Sequence, residues 1–206
     1  MLRNFAFFSI SIILFFIGMI VYGIILNSGE ISLTDAMAEK NLSKLDDVRL
    51  IVSRNNYQME LYSGSILVKS YKVVFGQGTG NVKTSKFDNI TPKGNYNICR
   101  IDTNTEYHKK MYLNYPTIAD AAEALKNNVI SKSEFELVAD WKGDCPPSET
   151  RLGADIGIQG IGKYDLIFRN LPFVFNWTNG SIAVSNDNID ELYEVVDIST
   201  EVIIKE

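Results

Sequence analysis

The side chains that most often act as nucleophiles, bases or metal ligands are scarce in this chain. It has a single histidine, His108, and two cysteines, Cys99 and Cys145. One imidazole is too few for a His-rich metal site, so the sequence predicts neither a metal centre nor a cofactor. The two cysteines could form a disulfide in an oxidising compartment, and the sequence leaves their pairing open.

The charge of the chain excludes a further class of function. Among its 206 residues, 25 are acidic and 20 are basic, which gives a net charge of −5. A protein that binds a phosphate backbone needs a basic surface, so nucleic acid is not an expected partner. The hydrophobic share of 46% is high enough to form a buried core, which excludes a disordered chain.

An apolar segment near the start of the chain predicts a membrane anchor. Residues 5–26 carry no charge, and a helix of this length would measure about 33 Å, close to the roughly 30 Å of a bilayer core. No small-residue cleavage pattern follows at Asn27 and Ser28, so we expect residues 1–27 to remain as a single-pass anchor. Arg3 is the only basic side chain before the segment. The positive-inside rule then places the domain in the periplasm or outside the cell.

The residues after the anchor predict one domain of the α+β class. Residues 28–47 are polar and indicate a linker or a short helix, and the domain comprises residues 48–206. Its first part alternates apolar and polar residues, which predicts an antiparallel β-meander. Further helices and short strands are expected, in chain order, at 116–125, 131–138, 156–158, 182–184, 186–196 (capped by Asn186) and 202–204. We therefore expect a mostly β domain with short helices and no parallel βαβ units.

Three stretches of the domain, in this order, match the pattern of one protein family. They are 76–96 with a lysine, an aspartate and the sequence TPKGNY, 108–120 with LNYP, and 146–186 with IGIQG and WTNGSIAVSN. Together they resemble the YkuD-type L,D-transpeptidase catalytic domain, which cross-links peptidoglycan in bacteria. Because the stretches cover most of residues 48–206, the resemblance applies to the whole domain. It implies an L,D-transpeptidase-like antiparallel β-sandwich with short helices.

The resemblance also implies a chemistry, from which this chain departs at two positions. In the family, a cysteine thiolate attacks a carbonyl of a peptidoglycan peptide stem, expels D-alanine and passes the acyl group to an amine of a neighbouring stem. Here Ser181 stands at the position of the nucleophilic cysteine, and Gln159 stands at the position of the catalytic histidine. Both reactive groups of the family mechanism are therefore replaced.

The two replacements predict loss of turnover with retention of a binding groove. A cysteine is partly thiolate near pH 7, whereas a serine hydroxyl must lose its proton as it attacks and needs a base within hydrogen-bond reach. A glutamine amide cannot accept that proton. Ser181 and Gln159 keep polarity and hydrogen-bonding capacity, so the groove could still hold a peptide stem.

Five further positions are predicted to contact the peptide: Arg151, Gly160, Trp177, Thr178 and Gly180. Gly180 fits a close backbone approach in which amide groups could face a substrate carbonyl. Arg151 could bind a stem carboxylate, and a solvated surface position is the competing interpretation. Trp177 could line the groove, and a place in the core is the competing interpretation.

Three other side chains could restore activity. His108 could act as the base for Ser181 if the fold brings the two together. Lys163 could form a serine–lysine pair if it is buried and uncharged. Cys145 could be a relocated nucleophile, and a structural or disulfide role is the competing interpretation.

The sequence therefore predicts binding without catalysis. We expect a protein of the cytoplasmic (inner) membrane, anchored through residues 5–26, whose domain binds peptidoglycan peptide stems or a partner protein of the cell envelope. Two alternatives stay open. The first is an active L,D-transpeptidase or carboxypeptidase that uses Ser181 as an atypical nucleophile. The second is a structural scaffold for envelope proteins.

Overall fold

Helices and strands are interspersed along the chain in an α+β arrangement. A computed structural model describes residues 2–171 and 173–206. The helices are α1 (Leu2–Asn27), α2 (Leu33–Glu39), α3 (Ile118–Lys126), α4 (Lys132–Ala139), α5 (Asp165–Phe168) and α6 (Asn186–Val195). The strands are β1 (Val48–Ser53), β2 (Gln58–Ser63), β3 (Ile66–Lys72), β4 (Gly94–Thr105), β5 (His108–Leu113), β6 (Gly157–Gln159), β7 (Ile182–Ala183) and β8 (Glu201–Lys205). The α+β class predicted from the sequence is confirmed.

The strands form one curled sheet in the order β3-β2-β1-β8-β4-β5-β6-β7. The long strand β4 joins its two halves, because its first residues pair with β8 and its later residues pair with β5. Val74, which follows β3, forms a bridge to Ala183 of β7, so the two ends of the sheet meet.

The sheet is mostly antiparallel, as expected, and it contains two parallel pairs of strands. Strands β1 and β8 are parallel, and so are β6 and β7, whereas the other neighbours are antiparallel. Parallel neighbours require a long connection between them. Nearly the whole domain separates β1 from β8, and the segment that contains α5 separates β6 from β7.

Several predicted elements are found close to their expected positions. Strands β1 to β3 form the antiparallel meander, and α4 begins with the capping box of Ser131 and Glu134. The cap of α6 is Ser185, whose hydroxyl accepts the Asn188 N–H, so Asn186 is the first helical residue and not the predicted cap. Strands β4 and β5 have no counterpart among the predicted elements. In β4 the consecutive residues Ile98 and Cys99 are both buried, which breaks the alternation that signals a strand.

The middle strands of the site have one face in the core. Met111 of β5, Ile158 of β6 and Ile182 of β7 are neighbours in register and fully buried. Because side chains alternate along a strand, the residues on either side of these three lie on the opposite face. That face carries the predicted site.

The segment expected to be a linker or short helix packs against the domain. It contains α2, in which Leu33 and Ala36 are 4% and 1% exposed. The Leu33 N–H donates to the Glu191 carboxylate, which also pairs with Lys69 at 2.5 Å. Residues 33–39 are therefore fixed to the domain and are not a free spacer.

Helix α1 is long and apolar enough to cross a membrane, a property that a signal sequence shares. Within Asn4–Asn27, an 18-residue window has a mean hydropathy of 2.6. The last turn contacts the domain, because Asn27 Nδ2 donates to the Arg169 carbonyl at 2.8 Å and Lys72 Nζ donates to Asn27 Oδ1 at 2.7 Å. The charges on which the predicted orientation depends, at residue 1 and on the side chain of Arg3, lie outside the described part of the structure.

The two cysteines form a disulfide. Cys99 lies on β4, and Cys145 lies in the segment between α4 and β6, with 5.2 Å between their Cα atoms. In the same segment, Trp141 Nε1 donates to the Cys145 carbonyl at 2.6 Å. The segment that leads into β6 is therefore attached covalently to the sheet.

Candidate functional site

Ser181 and Gln159 lie side by side on the sheet. Gln159 ends β6 and is paired with Ala183 of β7, and Ser181 directly precedes β7. Both residues are buried, with exposed fractions of 3% for Gln159 and 6% for Ser181. The structure thus brings together the two residues that the sequence predicts as the centre of the site.

The hydroxyl group of Ser181 is held by the backbone. Its Oγ accepts the Gly157 N–H at 3.3 Å and donates to the Asp155 carbonyl at 3.5 Å. Among residues 2–171 and 173–206, no imidazole, amine or carboxylate is hydrogen-bonded to this oxygen. A hydroxyl nucleophile needs such a group to take its proton. Both hydrogen-bond partners of Ser181 Oγ in the described chain are therefore backbone groups.

The amide of Gln159 has no hydrogen-bond partner in the described part of the chain. A buried amide normally finds partners in the protein or in water. Among residues 2–171 and 173–206, the fully enclosed polar atoms without a partner are Arg49 Nε, Tyr71 Oη and Thr150 Oγ1, and the amide of Gln159 is not one of them. Gln159 and Ser181 do not form a nucleophile–base pair, and the amide is available to a ligand.

Thr178 and Gly180 support the turn that carries Ser181. Thr178 Oγ1 accepts the Gly180 N–H at 3.2 Å and donates to the Ser181 carbonyl at 2.5 Å. Gly180 has a φ of +116°, and a Cβ there would lie 2.7 Å from the Ile90 carbonyl oxygen. The Gly180 amide, which the sequence predicts to face a substrate carbonyl, is thus bonded within the turn. Both residues position Ser181.

Gly160 and Asn186 fix the chain that follows Gln159. A Cβ at Gly160 would lie 2.5 Å from the Tyr107 carbonyl oxygen, which only glycine tolerates without movement of the backbone. The side chain of Asn186 accepts the N–H groups of Ile161 and Gly162 at 3.1 and 2.9 Å. No local pattern in the sequence signals this contact, which joins residues 24 positions apart.

Trp177 and Arg151 lie at the periphery of the site. Trp177 is half-buried in an aromatic cluster, with ring centroids at 6.2 Å from Tyr107 and 5.9 Å from Phe168. The side chain of Arg151 is exposed, and its backbone N–H donates to the Glu134 carboxylate at 2.7 Å. The structure describes no ion pair for this arginine, which agrees with the surface interpretation.

The three side chains considered as substitutes for the missing catalytic groups are placed elsewhere. His108 Nε2 lies 2.7 Å from the Asp190 carboxylate of α6. Lys163 is exposed, with its Nζ 4.8 Å from the centroid of the Tyr164 ring. Cys145 is bonded to Cys99 and therefore carries no free thiol.

One functional group of the site, Lys110, is missed by the sequence reasoning. It lies opposite Gln159 in the pairing of β5 with β6 and is 8% exposed. Burial lowers the pKa of its ammonium group, and the negative charge of Asp155 acts in the opposite direction. The only sequence signal is its position next to Met111, which places it on the site face if β5 is recognised as a strand.

A buried ion pair supports the loop beside Ser181. Lys83 Nζ lies 2.5 Å from Asp88 Oδ1, and the lysine side chain is 1% exposed. Burial alone would raise the pKa of Asp88, but hydrogen bonds from Lys83 and from backbone amides of the same loop hold this pKa below its usual range. The Ile90 carbonyl of this loop faces Gly180. The ion pair therefore holds the loop against the Ser181 turn.

A cavity of about 750 Å³ adjoins the periphery of the site, where Trp177 lines it. It is lined by the last turn of α1, by β3 and by the loop around residues 166–177. Ser181, Gln159 and Lys110 do not line it. The face of β5, β6 and β7 is therefore the candidate site, because the predicted chemical groups converge there.

Comparison with protein families agrees with the resemblance in the sequence. The model of the L,D-transpeptidase catalytic domain (YkuD) matches residues 47–204. No curated protein sequence matches this chain.

Solved structures show the same fold at low sequence identity. The helical cell shape determining protein Pgp2 from Campylobacter jejuni is 16% identical, with a TM-score of 0.52 over 85% of this chain and 55% of Pgp2. A single-site mutant of Pgp2 gives 18% identity and a TM-score of 0.53 over the same shares. Bd1075 from Bdellovibrio bacteriovorus is 16% identical, with a TM-score of 0.49 over 78% of this chain and 48% of Bd1075. The chain thus spans about half of the length of these structures.

Proposed function

The chain belongs to the L,D-transpeptidase catalytic domain family, and from this membership we propose that it binds peptidoglycan peptide stems in the cell envelope without transferring acyl groups. Family membership supports a function related to peptidoglycan. The observation that carries the proposal is the environment of Ser181, whose Oγ is hydrogen-bonded to the Gly157 N–H and the Asp155 carbonyl. Neither backbone group can remove the hydroxyl proton near neutral pH.

The remaining features of the groove support binding. The Gln159 amide offers two donors and an acceptor, and it has no partner among the described residues. A peptide stem is rich in amide groups that match this pattern. The turn of Thr178, Gly180 and Ser181 is fixed by internal hydrogen bonds, so little ordering is needed when a ligand binds.

Two observations support a position outside the cytoplasm, attached to the inner membrane. Helix α1 has the length and hydropathy of a membrane span, and its last residue is bonded to the domain through Arg169 and Lys72. The Cys99–Cys145 disulfide is typical of oxidising compartments. We place the domain on the periplasmic or external side, with residues 5–26 as the anchor.

Calorimetric titration of the full chain in detergent with a peptidoglycan tetrapeptide tests the proposal. We expect saturable binding that survives Ser181→Ala within about fivefold, because the hydroxyl would contribute one hydrogen bond of about 1 kcal/mol at most. Gln159→Leu, which keeps the size and removes the amide, is expected to weaken binding roughly tenfold. Lys163→Ala, at an exposed position, is the matched control and should leave the affinity for the tetrapeptide unchanged.

Two results would contradict the proposal. If no tetrapeptide binds, the groove is not a stem-binding site, and the scaffold interpretation gains support. If D-alanine is released and the release is lost in Ser181→Ala, the protein is an enzyme with Ser181 as its nucleophile.

A further inference from the structure

Lys110 is a buried ammonium group without a counter-ion. It is 8% exposed, and in residues 2–171 and 173–206 no carboxylate lies within ion-pair distance of its Nζ and no acceptor is hydrogen-bonded to it. Its Nζ lies over the rings of Tyr112 and Tyr107, with centroids at 4.9 and 5.9 Å. Every other buried lysine of the described chain, Lys69 and Lys83, has a carboxylate partner at 2.5 Å.

Lys110 lies beside both central residues of the groove. It faces Gln159 across the strand pair, and its Cε lies 3.2 Å from the point that a Cβ on Gly157 would occupy. The Gly157 N–H is the group that donates to Ser181 Oγ. The missing side chain of Gly157 therefore leaves space for the Lys110 side chain beside the residue that is hydrogen-bonded to Ser181.

The charges around Lys110 leave room for an anion from outside the protein. Arg100, stacked on the Tyr112 ring at 3.8 Å, carries a second positive charge, which is paired with Asp102 at 3.4 Å. Asp155, Glu106 and Asp102 act on Lys110 only at longer range. A buried charge is costly unless it is paired, so an anionic ligand group at this point would gain a partner that the protein does not provide.

A role for Lys110 as the base of Ser181 agrees less well with the geometry. Ser181 Oγ donates to the Asp155 carbonyl and is not hydrogen-bonded to the amine. A proton acceptor must lie within hydrogen-bond reach of the proton it takes. An unpaired ammonium beside a free amide is instead typical of a site that binds a carboxylate.

We propose that the groove contains a carboxylate subsite, in which Lys110 binds the C-terminal carboxylate of the peptide stem with the Gln159 amide beside it. This inference rests on the proposed function and names the group of the stem that is recognised. The chemical class of the ligand is thus a peptide with a free C-terminal carboxylate.

The test compares a tetrapeptide that ends in a free carboxylate with the same tetrapeptide ending in an amide, titrated into the full chain in detergent. A charge-assisted hydrogen bond in a buried site corresponds to about ten- to a hundredfold in affinity. We expect the wild-type protein to prefer the free acid by this factor. Lys110→Met should bind both peptides with the affinity of the amide, and Lys110→Arg should keep part of the preference.

Lys109→Met is the matched control, because Lys109 Nζ is paired with Asp190 at 2.6 Å. It should retain the full preference for the acid. Equal binding of acid and amide by the wild-type protein would overturn the carboxylate subsite and leave the proposed function intact, whatever the stability of the variants. If neither peptide binds, the proposed function itself is overturned. Release of D-alanine by the wild-type protein would overturn the proposed function, because the proposal excludes acyl transfer.

Discussion

At the scale of single residues, the chemistry of the site depends on an oxygen and an amide. From the family pattern we expect Ser181 and Gln159 at the positions of the nucleophile and the base, and the sheet holds the two residues as neighbours. A hydroxyl has a far higher pKa than a thiol, and an amide does not accept a proton near neutral pH. The strands therefore place the two residues side by side, as a nucleophile and a base would have to be. Neither side chain is a group that gives up or accepts a proton readily near neutral pH.

The first prediction is that reactivity can be introduced by restoring both groups. The double substitution Gln159→His and Ser181→Cys should release D-alanine from tetrapeptide stems, because an imidazole beside a thiol raises the thiolate fraction. Groups that act as a unit are strongly non-additive, so each single substitution should give roughly a hundredth of that rate or less. Mass spectrometry of the peptide products measures this. If the double variant releases no more D-alanine than the wild-type protein, other parts of the groove prevent the reaction.

The buried pair of Lys83 and Asp88 carries the second prediction. Asp88→Asn leaves the ammonium of Lys83, 1% exposed, without its counter-ion, so the free energy of unfolding at pH 7 should fall by about 3–5 kcal/mol. Because the folded-state pKa of Asp88 is lowered, its contribution is complete above the unfolded pKa of about 4 and is lost as the pH falls through the folded pKa.

Urea denaturation of wild type and Asp88→Asn at several pH values tests the ion pair. The difference in stability should be largest near neutral pH and should shrink below about pH 4. Asp46→Asn is the matched control, since the pair of Lys44 and Asp46 is 80% exposed at both side chains. A constant difference across the pH range would contradict the assigned charge interaction.

At the scale of elements, the site depends on how the segment before β6 is held. This segment contains Asp155 and Gly157, the two residues bonded to Ser181 Oγ. It begins near Cys145, which is linked to Cys99 of β4. The disulfide thus connects the groove to the longest strand of the sheet.

The third prediction is that this cross-link contributes substantially to stability. Replacing both cysteines by serine should lower the free energy of unfolding by about 2–5 kcal/mol, because the unfolded chain regains the freedom that the bond removes. Chemical denaturation measures the difference, and reduction of the wild-type protein should reproduce it. Equal stability of the oxidised and reduced proteins would contradict the prediction.

The elements also show how far local sequence signals extend. The capping box of α4 and the meander of β1 to β3 were predictable, because caps, turns and alternation are local. The parallel pairs and strands β4 and β5 were not, because β4 lacks strict alternation and the parallel partners are distant in sequence. Lys110 was not predicted as a site residue for the same reason, since its burial depends on its partner strand β6. Ser181 and Gln159 were predicted only through the family pattern, and nothing in their immediate sequence indicates a site.

At the scale of the whole molecule, the domain is connected without a free spacer to helix α1, which is long and apolar enough to span a membrane. Asn27 at the end of α1 is hydrogen-bonded to Arg169 and Lys72, and Leu33 of α2 packs against the core. The domain is therefore expected to stay close to the membrane surface. Its groove would then meet peptide stems in the region of the cell wall nearest to the membrane.

The fourth prediction is that the chain remains in the membrane with residues 5–26 intact. Carbonate extraction of membranes should leave the protein in the pellet, because the span buries an uninterrupted apolar helix. Intact-mass measurement of the purified protein should show a chain that still includes these residues. A mature chain that begins after Asn27 would show that the helix is a cleaved signal and not an anchor.

The most direct test of the central claim is the intact mass of the full chain after long incubation with a carbapenem, an acylating β-lactam. A hydroxyl held only by backbone groups should not attack it, so we predict no mass increase for the wild-type protein. The variant carrying Gln159→His and Ser181→Cys serves as the positive control. A stable adduct on the wild-type protein that disappears in Ser181→Ala would contradict the account, because Ser181 would then be a working nucleophile.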